Sequence, residues 1–224
     1  MNFDLNLPYH VYCESASFFG VSQPLNILSN LAFIAGAFLL WSQDRGRGTS
    51  LSLLAMLMAV VGFAGMVWHI TGQQFAAAID IGAQLVMGAI LTMILAHQIL
   101  RWHPVNAVIV GVIMLLSAML GRDLGLPFML QNGGALLPAM VFLVILAFVE
   151  IQRGRMREAK FLMGSAYVLF VGLIFYSLDW ALCWSFPYGL HFMWHLCMAL
   201  SIWLAVEAIW TDRQDNAREE KLAA

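Results

Sequence analysis

The stretch GTSLSLLAMLMAVVGFAGMVWHITGQQFAAAI, residues 48–79, contains no Asp, Glu, Lys or Arg. A helix of about 20 apolar residues crosses a hydrocarbon core roughly 30 Å thick, and this stretch passes that length before its first charge, Asp80. Six further intervals are equally free of charge: 15–43, 81–100, 102–121, 124–149, 161–178 and 180–206. Seven such intervals predict an all-α integral membrane protein, a seven-transmembrane helix bundle, with spans near 24–42, 51–71, 76–97, 104–121, 133–151, 161–180 and 188–210.

Composition excludes the soluble alternative. Of 224 residues, 62% are hydrophobic and only 11% charged, whereas a soluble domain carries about a quarter of its residues as charges to make a wet exterior. The net charge of −2 and the lack of a basic patch give no reason to expect a nucleic-acid partner. The lipid bilayer itself is the expected surroundings, in a multi-pass protein; in a bacterium this is the inner (cell) membrane. Residues 1–224 read as a single domain with no internal repeat. No cleavable signal peptide is expected, because the first residues lack a basic patch and the first apolar run is too long. Residues 1–23 form an extracytoplasmic arm, and 211–224 a polar, frayed cytoplasmic tail.

Loop charges orient the bundle. With the N-terminus outside, the inner segments hold Arg45, Arg47, Arg101, Arg153, Arg155, Arg157, Lys160, Arg213, Arg218 and Lys221, ten of the eleven Lys and Arg residues. Only Arg122, beside Asp123, lies outside. The positive-inside rule then places the N-terminus outside and the C-terminus in the cytoplasm.

Ionisable groups inside a span are costly and mark function. His69 falls late in the second span, Asp80 early in the third, and His191 and His195 early in the seventh. Spans of alternating direction bring all four to the outer half of the membrane. The i, i+4 spacing of His191 and His195 sets them on one helix face, roughly 6 Å apart along the axis. Two such imidazoles can grip one metal ion. A third from His69 leaves an open position for water, the ligand set of a catalytic zinc, with Asp80 as general base. The competing view is that these are hydrogen-bonded interior histidines that pack helices together. His97 and His103, flanking Arg101, fit a solvated interface, and His10 lies before the first span. Trp180, Trp184 and Tyr188 fit an aromatic belt. Glu150 and Glu207 lie near inner helix ends, within reach of water or basic neighbours.

Several short motifs, in order along the chain, carry a family resemblance. Tyr12-Cys13-Glu14 followed by Gln23-Pro24-Leu25-Asn26-Ile27-Leu28-Ser29-Asn30 resembles the N-terminal signature of the alkaline ceramidase family. His69 with Asp80 eleven residues on resembles its second and third helices. Asp179-Trp-Ala-Leu-Cys183 and His191-Phe-Met-Trp-His195 resemble its sixth and seventh. That family belongs to the seven-helix membrane hydrolases that include the adiponectin-receptor-like proteins. The resemblance implies a zinc amidase acting on ceramide, with zinc on three histidines, an aspartate near the water and a serine beside the metal. Two departures stand out. Gly65 occupies the serine position, so a hydroxyl there must come from elsewhere, with Ser29, Thr71 and Tyr176 as candidates. The family's animal members hold calcium near the first motif. Here Val11, Ala16 and Gln23 replace an aspartate, an asparagine and a glutamate, which leaves Glu14 alone, and no calcium is expected.

The function expected is therefore a zinc-dependent intramembrane amidohydrolase. Its partner is a membrane lipid substrate, ceramide or a related N-acyl lipid, which makes it an enzyme of sphingolipid metabolism. Asp80 is the catalytic residue, and Glu14, Ser29 and Asp179 are auxiliary. The alternative is a non-catalytic zinc-containing seven-helix lipid sensor. A retinal protein is disfavoured, since both lysines, Lys160 and Lys221, lie in inner segments. A haem carrier needs facing axial histidines, and a transporter needs polar residues along a path. Of the three cysteines, Cys197 lies in the body of the last span, while Cys13 and Cys183 both face the oxidising side and are predicted to form a disulfide.

Overall fold

A computed structural model describes residues 12–14, 17–18, 21–44, 49–121 and 136–223. The positions His10, Val11, Ala16, Arg45, Arg47, Arg122 and Asp123 lie outside the described residues. Among the described residues the secondary structure is helical apart from connecting turns and a minimal antiparallel ribbon, β1 (Ser17–Phe18) with β2 (Val21–Ser22), in which Ser17 pairs with Ser22. The helices are α1 (Pro24–Ser29), α2 (Leu31–Asp44), α3 (Ser50–Thr71), α4 (Gln74–Gln98), α5 (Pro104–Gly121), α6 (Leu137–Gln152), α7 (Met156–Leu178) and α8 (His191–Ala223).

Among the described residues, five segments are long and apolar enough to cross a membrane: Pro24–Asp44, Ser50–Thr71, Gln74–Gln98, Met156–Leu178 and His191–Leu222. Two apolar helices are shorter, Pro104–Leu120 and Leu137–Gln152. Together they fit a seven-helix bundle and are compatible with an integral, multi-pass membrane protein. Large apolar side chains such as Phe38, Phe63, Phe148 and Tyr167 are exposed around the outside, where only a hydrocarbon solvent would match them.

Local chemistry sets the helix limits near the histidines. Pro24 occupies the first turn of α1, where its missing N–H costs nothing. The residue before it, Gln23, has a left-handed backbone (φ 58°). The carboxylate of Glu14 accepts the orphan N–H groups of Leu25 (2.7 Å) and Asn26 (2.9 Å). α3 opens on Thr49, whose hydroxyl accepts the Leu51 N–H at 3.1 Å. It closes on Gly72 (φ 63°), whose N–H reaches back to Trp68 O at 2.7 Å. With only Gly72 and Gln73 between α3 and α4, the end of one and the start of the next lie side by side.

Helices adjacent in sequence pack together, and α8 closes the bundle by packing on α1 and α2 as well as α7. The core is filled by Phe33, Leu54, Met58, Leu95, Leu146, Leu162 and Ile209. α7 and α8 approach closely at Gly172, where a Cβ would stand 2.8 Å from the Cys197 Cβ. They also exchange reciprocal bonds, Ser165 Oγ to Ser201 O (2.8 Å) and Ser201 Oγ to Ser165 O (2.9 Å), the short-range polar pairing that joins helices in lipid.

The first span, expected near 24–42, falls on Pro24–Asp44, with a turn at Asn30 between α1 and α2 where the Asn30 side-chain amide donates to the Asn26 carbonyl (2.8 Å). One sequence expectation is corrected. The tail is not frayed, since α8 continues through Ala223. Asp212, buried, accepts both oxygens' worth of bonding from Arg101 (2.9 Å each) and a further ion pair from Arg155. Arg213 donates to Gln98 Oε1 (3.0 Å) and Thr49 Oγ1 (3.2 Å), and Arg157 pairs with Asp215 at 3.4 Å. Tertiary partners on α3, α4 and α7 thus hold a segment whose composition alone reads as solvent-exposed and loose.

Candidate metal centre

His69 lies in the last turn of α3, and His191 and His195 in the first two turns of α8, all three buried. One potential ligand atom from each lies within 4.8 Å of the others, so the three can hold a metal ion. The ring centroids are 4.5 Å apart for His191–His195, 5.0 Å for His69–His195 and 5.4 Å for His69–His191. Around a tetrahedral ion with metal–nitrogen bonds of about 2.0–2.1 Å, ligand nitrogens stand about 3.3 Å apart, a contraction that small ring rotations supply.

The surroundings fit that use. His69 Nδ1 meets Gln23 Oε1 at 2.6 Å, which assigns ligation to Nε2 and fixes the tautomer. His195 Nδ1 lies 2.8 Å from Ser29 Oγ and 3.3 Å from Asn30 Nδ2. The Ser29 hydroxyl also reaches Asn26 O at 3.0 Å. When its one proton goes to that carbonyl, the oxygen accepts from His195 Nδ1–H and Nε2 carries the lone pair for a metal. His191 stacks on Tyr12, with centroids 3.6 Å apart and planes at 23°. Its Nδ1 is buried with no hydrogen-bond partner. A buried ring nitrogen left in that state calls for a proton acceptor, a water or a metal. Three clustered imidazoles, one with a buried ring nitrogen lacking a partner, make a donor set that a metal would complete.

Asp80, in the second turn of α4, is buried and is not a member of the mutually close set. Gln84 Nε2 donates to its Oδ2 at 2.8 Å, while Oδ1 is buried with no hydrogen-bond partner. Glu14 is occupied by the two N–H groups of α1, and burial nevertheless raises its carboxyl above the ordinary value. Asp179, at the end of α7, accepts from Cys13 N (2.9 Å), Leu190 N (2.6 Å) and His191 N (2.9 Å). Cys13 and Cys183 are joined, with Cα atoms 5.5 Å apart, inside the usual span for a bridge.

Among the hydroxyls considered for the place of the absent serine, Thr71 is exposed and bonds back to Val67 O at 2.8 Å. Tyr176 lies against His191 with centroids 5.4 Å apart. At Gly65 a Cβ would stand 2.8 Å from Asn30 Cγ, so any side chain there requires that carboxamide to shift. The other described histidines stand apart: His97 Nδ1 meets Trp102 O at 2.9 Å and His103 Nδ1 meets Val105 N at 3.3 Å, both exposed. Trp180, Trp184 and Tyr188 are exposed. Glu207 accepts from Gln43 (2.7 Å) and Glu150 from Arg153 (2.8 Å).

No family model and no curated protein matches the chain.

Sequence reasoning missed Tyr12 as the ring covering His191, Gln23 and Asn30 as imidazole partners, and Gln84 as the partner of Asp80. The polarity of Gln23 and Asn26 beside an apolar run was a signal that something buried required them. Only the packing of α1 against α3 and α8 shows what it was.

Proposed function

We propose that this protein is a zinc-dependent intramembrane amidohydrolase that cleaves the amide bond of ceramide or a related N-acyl lipid. The observation that carries the reading is the buried set His69, His191 and His195, and Asp80, buried on the helix that follows that of His69, is the group read as proton acceptor. Three imidazoles and no thiolate suit zinc above harder ions, and zinc supplies Lewis acidity toward an amide carbonyl and toward water.

The chain's own residues do the rest. Gln23 and Ser29 hold His69 and His195 in fixed orientation. Tyr12, stacked on His191, keeps bulk water off that face. Asp80 has one oxygen tied to Gln84 and the other without a partner, so Oδ1 is the atom to take a proton from water and to return it to the departing amine. A lipid amide reaches a site at this depth sideways between helices. Arg101, Arg155 and Arg213 gather with the C-terminal part of α8, at the end away from the histidines. That clustering supports an orientation with the C-terminus cytoplasmic and the metal centre toward the outer face.

A second reading is a zinc-containing lipid sensor without turnover. Gly65 favours it, since it brings no hydroxyl to steady a developing oxyanion. Elemental analysis of purified protein, paired with fatty-acid release from a panel of ceramides and N-acyl amines, separates the two. One zinc per chain, lost in His191→Ala, with fatty acid released, is the expected result. Stoichiometric zinc with no release across the panel selects the sensor, and zinc retained after all three histidines become alanine removes both.

A further inference from the structure

His191 is the first residue of α8. The opening N–H groups of a helix have no acceptor inside it, so the first turn is the one most free to fray. His195 lies one turn further in and inherits its position from the helix, whereas His191 has to be fastened from outside. Asp179 does this: its Oδ1 accepts both the Leu190 N–H (2.6 Å) and the His191 N–H (2.9 Å).

The other oxygen faces a different part of the chain. Oδ2 accepts the Cys13 N–H at 2.9 Å, and the residue before Cys13 is Tyr12, whose ring covers the His191 imidazole at 3.6 Å. One carboxylate therefore grips the backbone of the histidine and the backbone next to the ring stacked on it. Gly189 marks how tightly these segments meet. Its φ is +64°, and a Cβ there would stand 2.6 Å from the Cys13 Cβ and against the Asp179 carboxylate. Asp179 is buried, and a carboxylate placed there needs several donors to offset its desolvation, which three backbone N–H groups supply.

We propose that Asp179 is a positioning residue of the metal centre, setting His191 by clamping the first turn of α8 to the Tyr12–Cys13 backbone. The inference rests on the reading of the three histidines as metal ligands. It predicts that Asp179 controls metal affinity and coordination geometry, and not only fold stability. Asparagine is the discriminating replacement. It keeps one acceptor oxygen for Leu190 and His191 but turns an N–H₂ toward the Cys13 N–H, donor against donor.

The test uses full-length protein in detergent, stripped of metal and titrated with Co²⁺ against a competing chelator, with the visible spectrum recorded. Wild type is expected to take up one Co²⁺ with the intense bands of a four-coordinate site, absent in His191→Ala. Groups that orient metal-binding histidines typically contribute 10–100-fold in affinity. Asp179→Ala is therefore expected to weaken Co²⁺ binding by about that range, and Asp179→Asn by about tenfold, both with shifted bands. Variants with lowered melting temperature but wild-type affinity and spectrum would overturn the inference while leaving the metal site standing. Wild type that binds no Co²⁺ overturns the metal site and this inference together. Should Asp179→Ala fail to fold, Asp179→Asn decides alone: unchanged affinity and bands reject the proposal.

Discussion

Gln23→Ala tests the candidate metal centre through a residue outside the histidine set. The Gln23 side chain is buried, and its Oε1 meets His69 Nδ1 at 2.6 Å. Truncation removes an acceptor from a buried imidazole, and such a loss costs about 1–3 kcal/mol in either metal state. Part of it cancels between the apo and bound forms. What remains is the difference in bond strength, because an imidazole that shares its lone pair with a cation becomes a stronger donor, and charge-assisted bonds are roughly twice as strong as neutral ones. The differential is then about 1–1.5 kcal/mol, or about tenfold in metal dissociation constant. The assay is zinc competition with a fluorescent chelator at fixed pH. Gln23→Ala is expected to bind about tenfold more weakly, while Gln23→Glu, which keeps an acceptor in place, binds at least as tightly as wild type. Equal affinity in wild type and Gln23→Ala refutes the assignment of His69 Nδ1 to this bond.

Three further outcomes follow from the geometry. Asp80→Ala should keep its zinc, since Asp80 is outside the close set, yet lose about 10²–10⁴-fold in amide hydrolysis, the usual worth of a general base; zinc loss in this variant would make Asp80 a ligand instead. Alkylation of denatured, unreduced protein should label Cys197 alone, because Cys13 and Cys183 are joined; mass spectrometry reads the outcome, and label on Cys13 or Cys183 contradicts the bridge. Asp212→Ala frees Arg101, Arg155 and Asn216 from a buried acceptor. A loss of about 2 kcal/mol in local stability, of the order expected for hydrogen bonds to a charged group, should speed hydrogen exchange of residues 211–223 about thirtyfold, and unchanged exchange shows that these bonds do not hold the tail.

The apolar helices were legible because each leaves a long gap in the charges, the pattern a bilayer-crossing helix requires, although two of the seven are shorter than a full span. The expected 51–71 and 76–97 fall on α3 and α4 within a few residues. The common neighbourhood of His69, His191 and His195 was legible for the same reason, since alternating direction and known span length convert position in sequence into depth. What stayed hidden depends on contacts between distant segments. The break at Asn30 follows from its bond to Asn26 O and its approach to His195, and nothing local in Ser29-Asn30-Leu31 announces it. The ordered tail depends on Arg101 and Arg155, which are distant in sequence from Asp212. Tyr12 looks like an ordinary arm residue until its ring is found on His191.

The candidate metal centre joins segments far apart in the chain. Tyr12, Gln23 and Ser29 come from the first thirty residues, while His191 and His195 open the last helix. During synthesis the N-terminal partners are inserted long before either α8 histidine leaves the ribosome, so no partial product can assemble the ligand set. Any metal held by the three histidines would then be bound only after α8 has docked against α1.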